Sequence, residues 1–484
     1  MSHPRARLRI CVAATAAAVA VATSLIGIPA AHACPVLAGS GTSDDPWQID
    51  SSEQMADLQG CTFVPANFVQ RADVTVTNAL VFTVAFSGTY DGQGHTITVD
   101  GVVDALGLFL ETSNATVSNL RIDVANGSTL ALGAGWVSSV DNGSTFTNIT
   151  TTGPISRGGG GVVGSATGTH LTGVVSSGDI GDFGGGAVGV SARGLVVDGA
   201  FSSGAIGPGA GGIVGASVND GSSSITSTVA HSYSTGIISN GGGGIVGGFA
   251  NNGASSSVVE VTDSYSTGVI GVNAGGIVGS HSNNAASSST VARSFSTGSI
   301  GVQAGGILGF GANYQSTNSD FTVDRTFSTG TIGTTAGGIV SMSANYDATS
   351  PQALITHSYS TGTIGLQSGG ILGPYADFNA MNPFFDVSWV YSTGSIDASG
   401  GGIVGSDAKD VSVSHGYSSG ASAGVGNGIL GPNAAFSTDS TTYAETDHGA
   451  SGFNDANFAS VVAPISRWRQ GDWGSCEINS PPFL

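Results

Sequence analysis

Seven residues suited to polar recognition recur at one position of a repeated phrase, whose clearest copies read Ser-Tyr-Ser-Thr-Gly. They lie five residues before the glycine and are His231, Asp263, Arg293, Arg325, His357, Trp389 and His415. Strict strand alternation would turn them inward, and burying an unpaired charge costs on the order of several kcal/mol. We therefore predict a bend that turns this column to solvent. Two interpretations stay open: a recognition stripe, or an exposed polar edge with an Asp263–Arg293 pair of about 0–1 kcal/mol.

A column of amides lies fifteen residues after the same glycine. Its members are Asn219, Asn251, Asn283, Asn313 and Asn345, and the next copy has Asp377. Amide side chains stacked at one position of successive repeats hydrogen-bond from one repeat to the next and hold a turn. We predict a structural ladder of this kind. The alternative is a row of amides that binds the polar groups of a ligand.

The next position, sixteen residues after the glycine, changes from polar to aromatic along the chain. It has Asp220, Asn252 and Asn284, followed by Tyr314, Tyr346 and Phe378. Three consecutive rings suit a flat platform for sugar rings, and they equally suit a lid that packs over a loop edge. The residues leave both interpretations open.

Enzyme motifs are mostly missing. The chain has no His-Glu-x-x-His zinc motif, phosphate-binding loop or EF-hand loop. A pectinase-like β-helix needs clustered acidic residues, and the nearest candidates are Asp91 and His95 in the phrase Asp-Gly-x-Gly-His. The glycines of that phrase indicate a structural turn. We therefore predict no catalytic residue, metal ligand or cofactor.

The columns require elements that repeat at a fixed period. Ten Ser/Thr-Gly glycines set that period, and they are Gly153, Gly178, Gly204, Gly236, Gly268, Gly298, Gly330, Gly362, Gly394 and Gly420. They are 25 to 32 residues apart, which suits one coil of a parallel β-helix with strands about 4.8 Å apart. Valine and isoleucine recur seven before, two after and nine after the glycine, and tyrosine or phenylalanine three before it. Stacked in register, these side chains predict a continuous apolar spine, with glycines at tight corners.

The predicted fold class is therefore all-β, a parallel β-helix between two caps. Residues 34–75 form an N-terminal cap with a short helix, and residues 76–435 form the β-helix, with about ten copies of the repeat from 149 to 431. Residues 436–484 form a short C-terminal cap. An all-β sandwich is a weaker alternative.

The N-terminal 33 residues are typical of a secretory signal peptide. Three arginines precede an apolar run, and Ala31-His32-Ala33 is a small-x-small cleavage site. The alternative of a membrane anchor fits less well because the run is short. The formal net charge of −20 becomes −23 once those arginines leave, with 9 basic against 32 acidic residues. Nucleic acid and anionic membrane surfaces are therefore excluded as expected partners.

Cysteine usage agrees with an oxidising compartment. A Cys34–Cys61 disulfide would staple the N-terminal end and leave Cys476 free or paired with another chain. The competing possibility is that Cys34 carries a lipid, although the preceding residues lack the usual leucine.

The repeat phrase resembles the GLUG motif of bacterial surface and secreted proteins, in which Tyr-Ser-Thr-Gly precedes Gly-Gly-Leu-Val-Gly. Here Ser264 to Gly279 matches it with isoleucine in place of leucine. Flanking segments are also similar, notably Asp45 to Ile49, Phe86 to Ile97 and Trp473 to Leu484. The resemblance implies a right-handed β-helix outside a bacterial cell, in adhesin-like or peptidase-associated proteins.

Together these features predict a secreted protein, with or without attachment to the cell surface. We expect non-enzymatic binding to a glycan, matrix or another cell surface. The alternative is a polysaccharide-degrading enzyme, a lyase or glycoside hydrolase, on the same scaffold. The mature chain has no predicted transmembrane span, and the residues do not indicate an oligomeric state.

Overall fold

The computed structural model describes residues 37–58, 66–77, 82, 84–422, 428–438 and 443–444. The predicted signal peptide, all three remaining cysteines with the Cys34–Cys61 pairing, and most of the predicted C-terminal cap lie outside these residues. Side chains are described up to residue 435.

The described chain is a parallel β-helix of about eleven turns with one short helix, α1 (Ser52–Asp57). Each strand pairs in parallel with its equivalent in the next coil, as Tyr233 does with Tyr265. The strands in chain order are β1 (Trp47–Ile49), β2 (Asn67–Gln70), β3 (Val74–Val76), β4 (Thr89–Asp91), β5 (Thr96–Asp100), β6 (Phe109–Ser113), β7 (Thr116–Ala125), β8 (Ser138–Asn142), β9 (Thr145–Thr151), β10 (Val163–Thr167), β11 (His170–Thr172), β12 (Val175–Ser176), β13 (Val196–Asp198), β14 (Phe201–Ser202), β15 (Thr226–Ala230), β16 (Tyr233–Ser234), β17 (Val258–Thr262), β18 (Tyr265–Ser266), β19 (Ser288–Ala292), β20 (Phe295–Ser296), β21 (Asp320–Asp324), β22 (Phe327–Ser328), β23 (Gln352–Thr356), β24 (Tyr359–Ser360), β25 (Phe384–Ser392), β26 (Val411–Ser418), β27 (Phe436–Thr438) and β28 (Tyr443–Ala444).

Parallel pairing extends beyond the predicted β-helix boundaries at both ends. Strand β1 pairs with β2, and β2 pairs with β4, so coils begin at Trp47 and not at residue 76. At the other end, β27 and β28 pair with β26 beyond residue 435. The first and last strands lack the repeat phrase, which is why its spacing could not locate them.

The repeat glycines allow neighbouring coils to approach closely. A Cβ added to Gly236 would lie 1.8 Å from the carbonyl oxygen of Gly204, and the repeat glycines do not adopt positive φ. The tight corners predicted for glycine lie at other positions, such as Gly209 and Gly241, which do adopt positive φ. The role of the repeat glycines is to let backbone pack on backbone, which no side chain permits.

The apolar spine consists of the valine and isoleucine columns. Val261, Ile245 and Ile277 are fully buried, and their equivalents in other coils pack into the same core. The tyrosine column differs from its prediction, because it stacks on the outside of the coils. Ring centroids of Tyr265 and Phe295 are 4.8 Å apart with planes 3° from parallel, and both rings are half-buried.

Candidate functional site

We call the seven residues five positions before the repeat glycine the bend stripe. They are His231, Asp263, Arg293, Arg325, His357, Trp389 and His415. Every one of them has a φ between 48° and 55°, in the left-handed region, and each side chain is exposed or half-buried. The left-handed bend breaks strand alternation between the inward valine and the outward tyrosine. The predicted turn to solvent is therefore present in all seven coils.

Earlier coils make the same bend with different residues. The pairing register aligns His231 with Gly199, Gly173, Asn148 and Asn119, which also have positive φ. Glycine and asparagine are the residues that tolerate this conformation best. Histidine and aspartate enter it less readily, and arginine or tryptophan there is a conformational outlier.

The first part of the bend stripe consists of polar contacts between coils. His231 Nδ1 lies 2.7 Å from Asp198 Oδ1. Arg293 donates from Nε and NH2 to the two oxygens of Asp263 at 2.8 and 2.7 Å. The hydrogen bonds from Arg293 lower the pKa of Asp263, and the same contact raises the pKa of Arg293. This two-pronged geometry fixes both side chains along the coil axis.

The second part combines charge with stacked rings. Asp324 accepts from Arg325 Nε at 2.8 Å and lies 3.0 Å from His357 Nδ1. Trp389 stacks between His357, 6.4 Å away between ring centroids, and His415, 3.9 Å away. From Asp324 to His415, side chains of four successive coils thus form one continuous contact series.

The predicted aromatic column is a stack whose rings face each other. Tyr314 and Tyr346 lie 5.4 Å apart with planes 9° from parallel, and Tyr346 and Phe378 lie 5.6 Å apart. The faces of Tyr346 are therefore covered by its neighbours, and a sugar platform needs free faces. Burial raises the pKa of Tyr314.

Four further rings lie on this edge and were not predicted from the sequence. Phe249 stacks on His281 at 5.4 Å, His281 meets Phe310 edge-on at 5.1 Å, and Tyr375 meets Phe378 edge-on. Burial lowers the pKa of His281. A signal was available, because Phe249, His281 and Tyr375 share one repeat position, thirteen residues after the glycine.

The amide column forms hydrogen bonds from coil to coil. Asn219 Nδ2 donates to Asn251 Oδ1 at 3.2 Å, and Asn251 donates to Asn283 at 3.0 Å. Asn313 donates to Asn345 at 3.0 Å, and Asn345 donates to Asp377 Oδ1 at 2.8 Å. All six side chains are buried. We call this series the amide ladder. It is buried beneath the loop edge, so its amides join one coil to the next and are not exposed to bind a ligand.

The Asp-Gly-x-Gly-His phrase forms a turn. Asp91 Oδ1 accepts from the backbone of Gln93 and from Asn119 Nδ2, whereas His95 Nδ1 contacts Asp73. Asp91 and His95 thus have separate partners. Among the described residues, no three His, Cys, Asp or Glu side chains converge on a possible metal position. No helix in that same part of the chain is long and apolar enough to cross a membrane.

Comparisons with known proteins leave the chain without a family assignment. No family model matches it, and no curated protein matches it. Among solved structures, it is similar to the 1.30 Å crystal structure of a "putative immunoglobulin A1 protease" from Bacteroides ovatus. That alignment has 18% identity and a TM-score of 0.30, and it covers 52% of this chain and 77% of the other. A likeness at this TM-score carries no argument about function.

Proposed function

We propose that the chain is an exported, non-enzymatic binding protein whose bend stripe recognises a glycan, matrix or cell-surface ligand. One observation carries this proposal. Seven consecutive coils have charged or aromatic side chains at a left-handed bend that earlier coils make with asparagine or glycine. Strained backbone of this kind concentrates at functional sites, because the side chain is retained despite its conformational cost.

The bend stripe offers chemistry suited to a polar surface. Arg325 contacts Asp324 through Nε, and its side chain is 46% exposed. Trp389 and His415 add a half-buried ring stack two coils away. Ion pairs within the bend stripe hold the groups in place before binding, which lowers the entropy lost when a ligand binds.

Replacing the three central residues with asparagine tests this function. Arg325→Asn, His357→Asn and Trp389→Asn reproduce the residue of earlier bends, so the triple variant should fold with a melting temperature equal to or above that of the parent. We expect the secreted parent chain to sediment with at least one of cellulose, chitin, peptidoglycan or mucin. The triple variant should bind that polymer at least tenfold more weakly, and equal binding would contradict the proposal.

Two controls accompany that measurement. Incubated polymers are assayed for new reducing ends and unsaturated products, because turnover would favour the alternative of a polysaccharide-degrading enzyme. Export is tested by fractionating the culture into medium, cell wall and cytoplasm. Recovery of an uncleaved chain from the cytoplasm would contradict the secretory assignment of residues 1–33.

A further inference from the structure

One coil is two residues shorter than its neighbours at a single place. Eight residues separate the ladder asparagine from the inward strand position in most long coils, as from Asn251 to Val259, but Asn283 and Ser289 are six apart. The missing residues interrupt a column of backbone bridges. Ser223 pairs with Ser255, and Thr317 pairs with Thr349, but the column skips the coil between them.

The short coil leaves a groove on the loop edge, which we call the notch. It is open to solvent and has a volume of about 270 Å³, just below the roughly 300–1,000 Å³ of small-molecule sites, so it has room for a small ligand only. Its walls come from four successive coils and are Ser256, Ser257, Val258, Ala286, Ser287, Ser288, Asn318, Ser319, Asp320, Ser350 and Gln352. Ser319 Oγ donates to the carbonyl of Ala285, which holds the short coil in place.

A buried acceptor without a partner adjoins the notch. In the amide ladder the Oδ1 atoms of Asn251, Asn283, Asn345 and Asp377 accept from the asparagine of the preceding coil, but no such bond joins Asn283 to Asn313. Asn313 is fully buried, and its Oδ1 has no hydrogen-bond partner among the described residues. The Nδ2 of Asn313 donates to the carbonyls of Ser319 and Gln352, two residues that line the notch. Ser316 Oγ, also buried, is in the same state.

We propose that the notch binds a neutral, hydroxyl-rich ligand, namely one or two sugar units of a glycan. The walls present serine hydroxyls and side-chain amides, which both donate and accept hydrogen bonds as sugar hydroxyls do. No arginine, lysine or histidine lines the notch, and the one carboxylate, Asp320, repels anionic sugars.

This site is separate from the bend stripe and does not depend on it. The notch lies before the strands that lead to the bend, and its lining contains no residue of the bend stripe. Without aromatic walls, affinity rests on hydrogen bonds alone. We therefore expect the notch to bind a glycan weakly and to prefer neutral over acidic sugars.

Two matched variants of the secreted chain test the notch. Asn318→Trp places a large ring in its wall, and Asn382→Trp makes the same change at the equivalent position two coils later, outside the notch. Both asparagines are exposed and have nearly equal φ, 54° and 51°, so backbone strain is matched. A third variant inserts Ser-Ser after Ala286, which restores the common coil length and closes the notch.

Calorimetric titration uses hexamers of glucose in α- and β-linkage, xylose, N-acetylglucosamine and galacturonate. We expect one neutral hexamer to bind the parent and the Asn382→Trp variant equally. Asn318→Trp should weaken it at least tenfold, and the insertion should abolish it. Tighter binding of the galacturonate hexamer, no binding of any neutral hexamer at about 10 mM, or unchanged binding after the insertion would overturn the proposal. The bend-stripe triple variant should bind the hexamer normally, which separates this result from the function proposed above.

Discussion

The early and late coils meet the same backbone demand with different side chains. At the bend, Asn148 Nδ2 donates to Asn119 Oδ1 at 3.0 Å, whereas late coils have Arg325 and Trp389 with the same left-handed φ. Beneath the loop edge, a run of asparagines ends in Asp377. The asparagines of the early coils adopt the left-handed φ at a lower conformational cost than arginine or tryptophan. The late departures therefore mark positions where something other than folding determines the residue.

The largest expected loss of stability comes from replacing the repeat glycines, which early and late coils share. Gly204→Ala and Gly330→Ala each push a Cβ against a backbone carbonyl, at 1.9 and 1.8 Å, so each should cost more than about 4 kcal/mol. Gly221→Ala is the control, since it has φ of +60° and open space, and should cost about 1–2 kcal/mol. Urea unfolding followed by circular dichroism measures all three. A mild effect at one glycine alone would show that the regions differ in coil packing.

The second effect concerns the end of the amide ladder. Asp377 is buried, its Oδ1 accepts from Asn345, and its Oδ2 has no partner in the described structure. Burial raises the pKa of Asp377 to about 7, the bond from Asn345 opposes this, and nearby Asp410 adds to it. The folded chain therefore holds a proton that the unfolded chain loses, so stability falls as pH rises from about 4 to about 7.

Asp377→Asn removes this pH dependence and completes the run of asparagines. The variant should be as stable as the parent at pH 4 and more stable by up to about 4 kcal/mol at pH 8. Thermal melts across that range provide the measurement. A constant stability difference from pH 4 to 8 would show that Asp377 does not titrate within it. Asn345→Asp is the comparison, and it should destabilise the late coils at pH 8.

A reciprocal exchange at the bend should give smaller effects of opposite sign. Arg325→Asn should stabilise by about 1 kcal/mol because asparagine tolerates the left-handed φ. Asn148→Arg should destabilise by about 1–2 kcal/mol, since it adds that strain and removes the bond to Asn119. Both changes in the free energy of unfolding are measured from the midpoints of urea unfolding curves. If the two exchanges change stability equally and in the same direction, the bend imposes no residue preference.

The smallest effect belongs to the ion pair between coils. Arg293 and Asp263 side chains are 36% and 26% exposed, so solvent screens them in part. A double-mutant cycle with Arg293→Gln and Asp263→Asn should give a coupling of about 0.5–1 kcal/mol, reduced in 1 M salt. A coupling that salt leaves unchanged would mean that packing, and not charge, joins the two side chains.

Much of this architecture could be predicted from residue spacing. The parallel β-helix follows from glycines at a regular interval, and the bend follows from charges that could not face inward. The outward position of Tyr265 could not be predicted by alternation. Strict alternation places Val261 and Tyr265, four residues apart, on the same face of the strand. The left-handed residue between them, Asp263, breaks that alternation, so Tyr265 points outward. The cap boundary at residue 76 was set too late, since β1 to β3 carry no repeat phrase.

The site could be predicted only in outline. Charges at His357 and Trp389 indicate a polar column, but their continuous stacking with His415 depends on coil spacing and side-chain geometry. The notch follows from two missing residues, whose effect shows only when columns are paired in register. Membership of the GLUG family, export and the ligand itself remain predictions from the sequence.

Coil length varies on one edge while the repeat glycines stay in register, and this has a consequence for how the protein can evolve. Coils of 25 to 32 residues stack with the same pairing at Gly178, Gly204 and Gly236. Duplicating or deleting one whole repeat in the gene would therefore leave every remaining strand paired with an equivalent neighbour. Such an event would lengthen or shorten the rod by about 4.8 Å. The array can therefore change its length without first losing its fold.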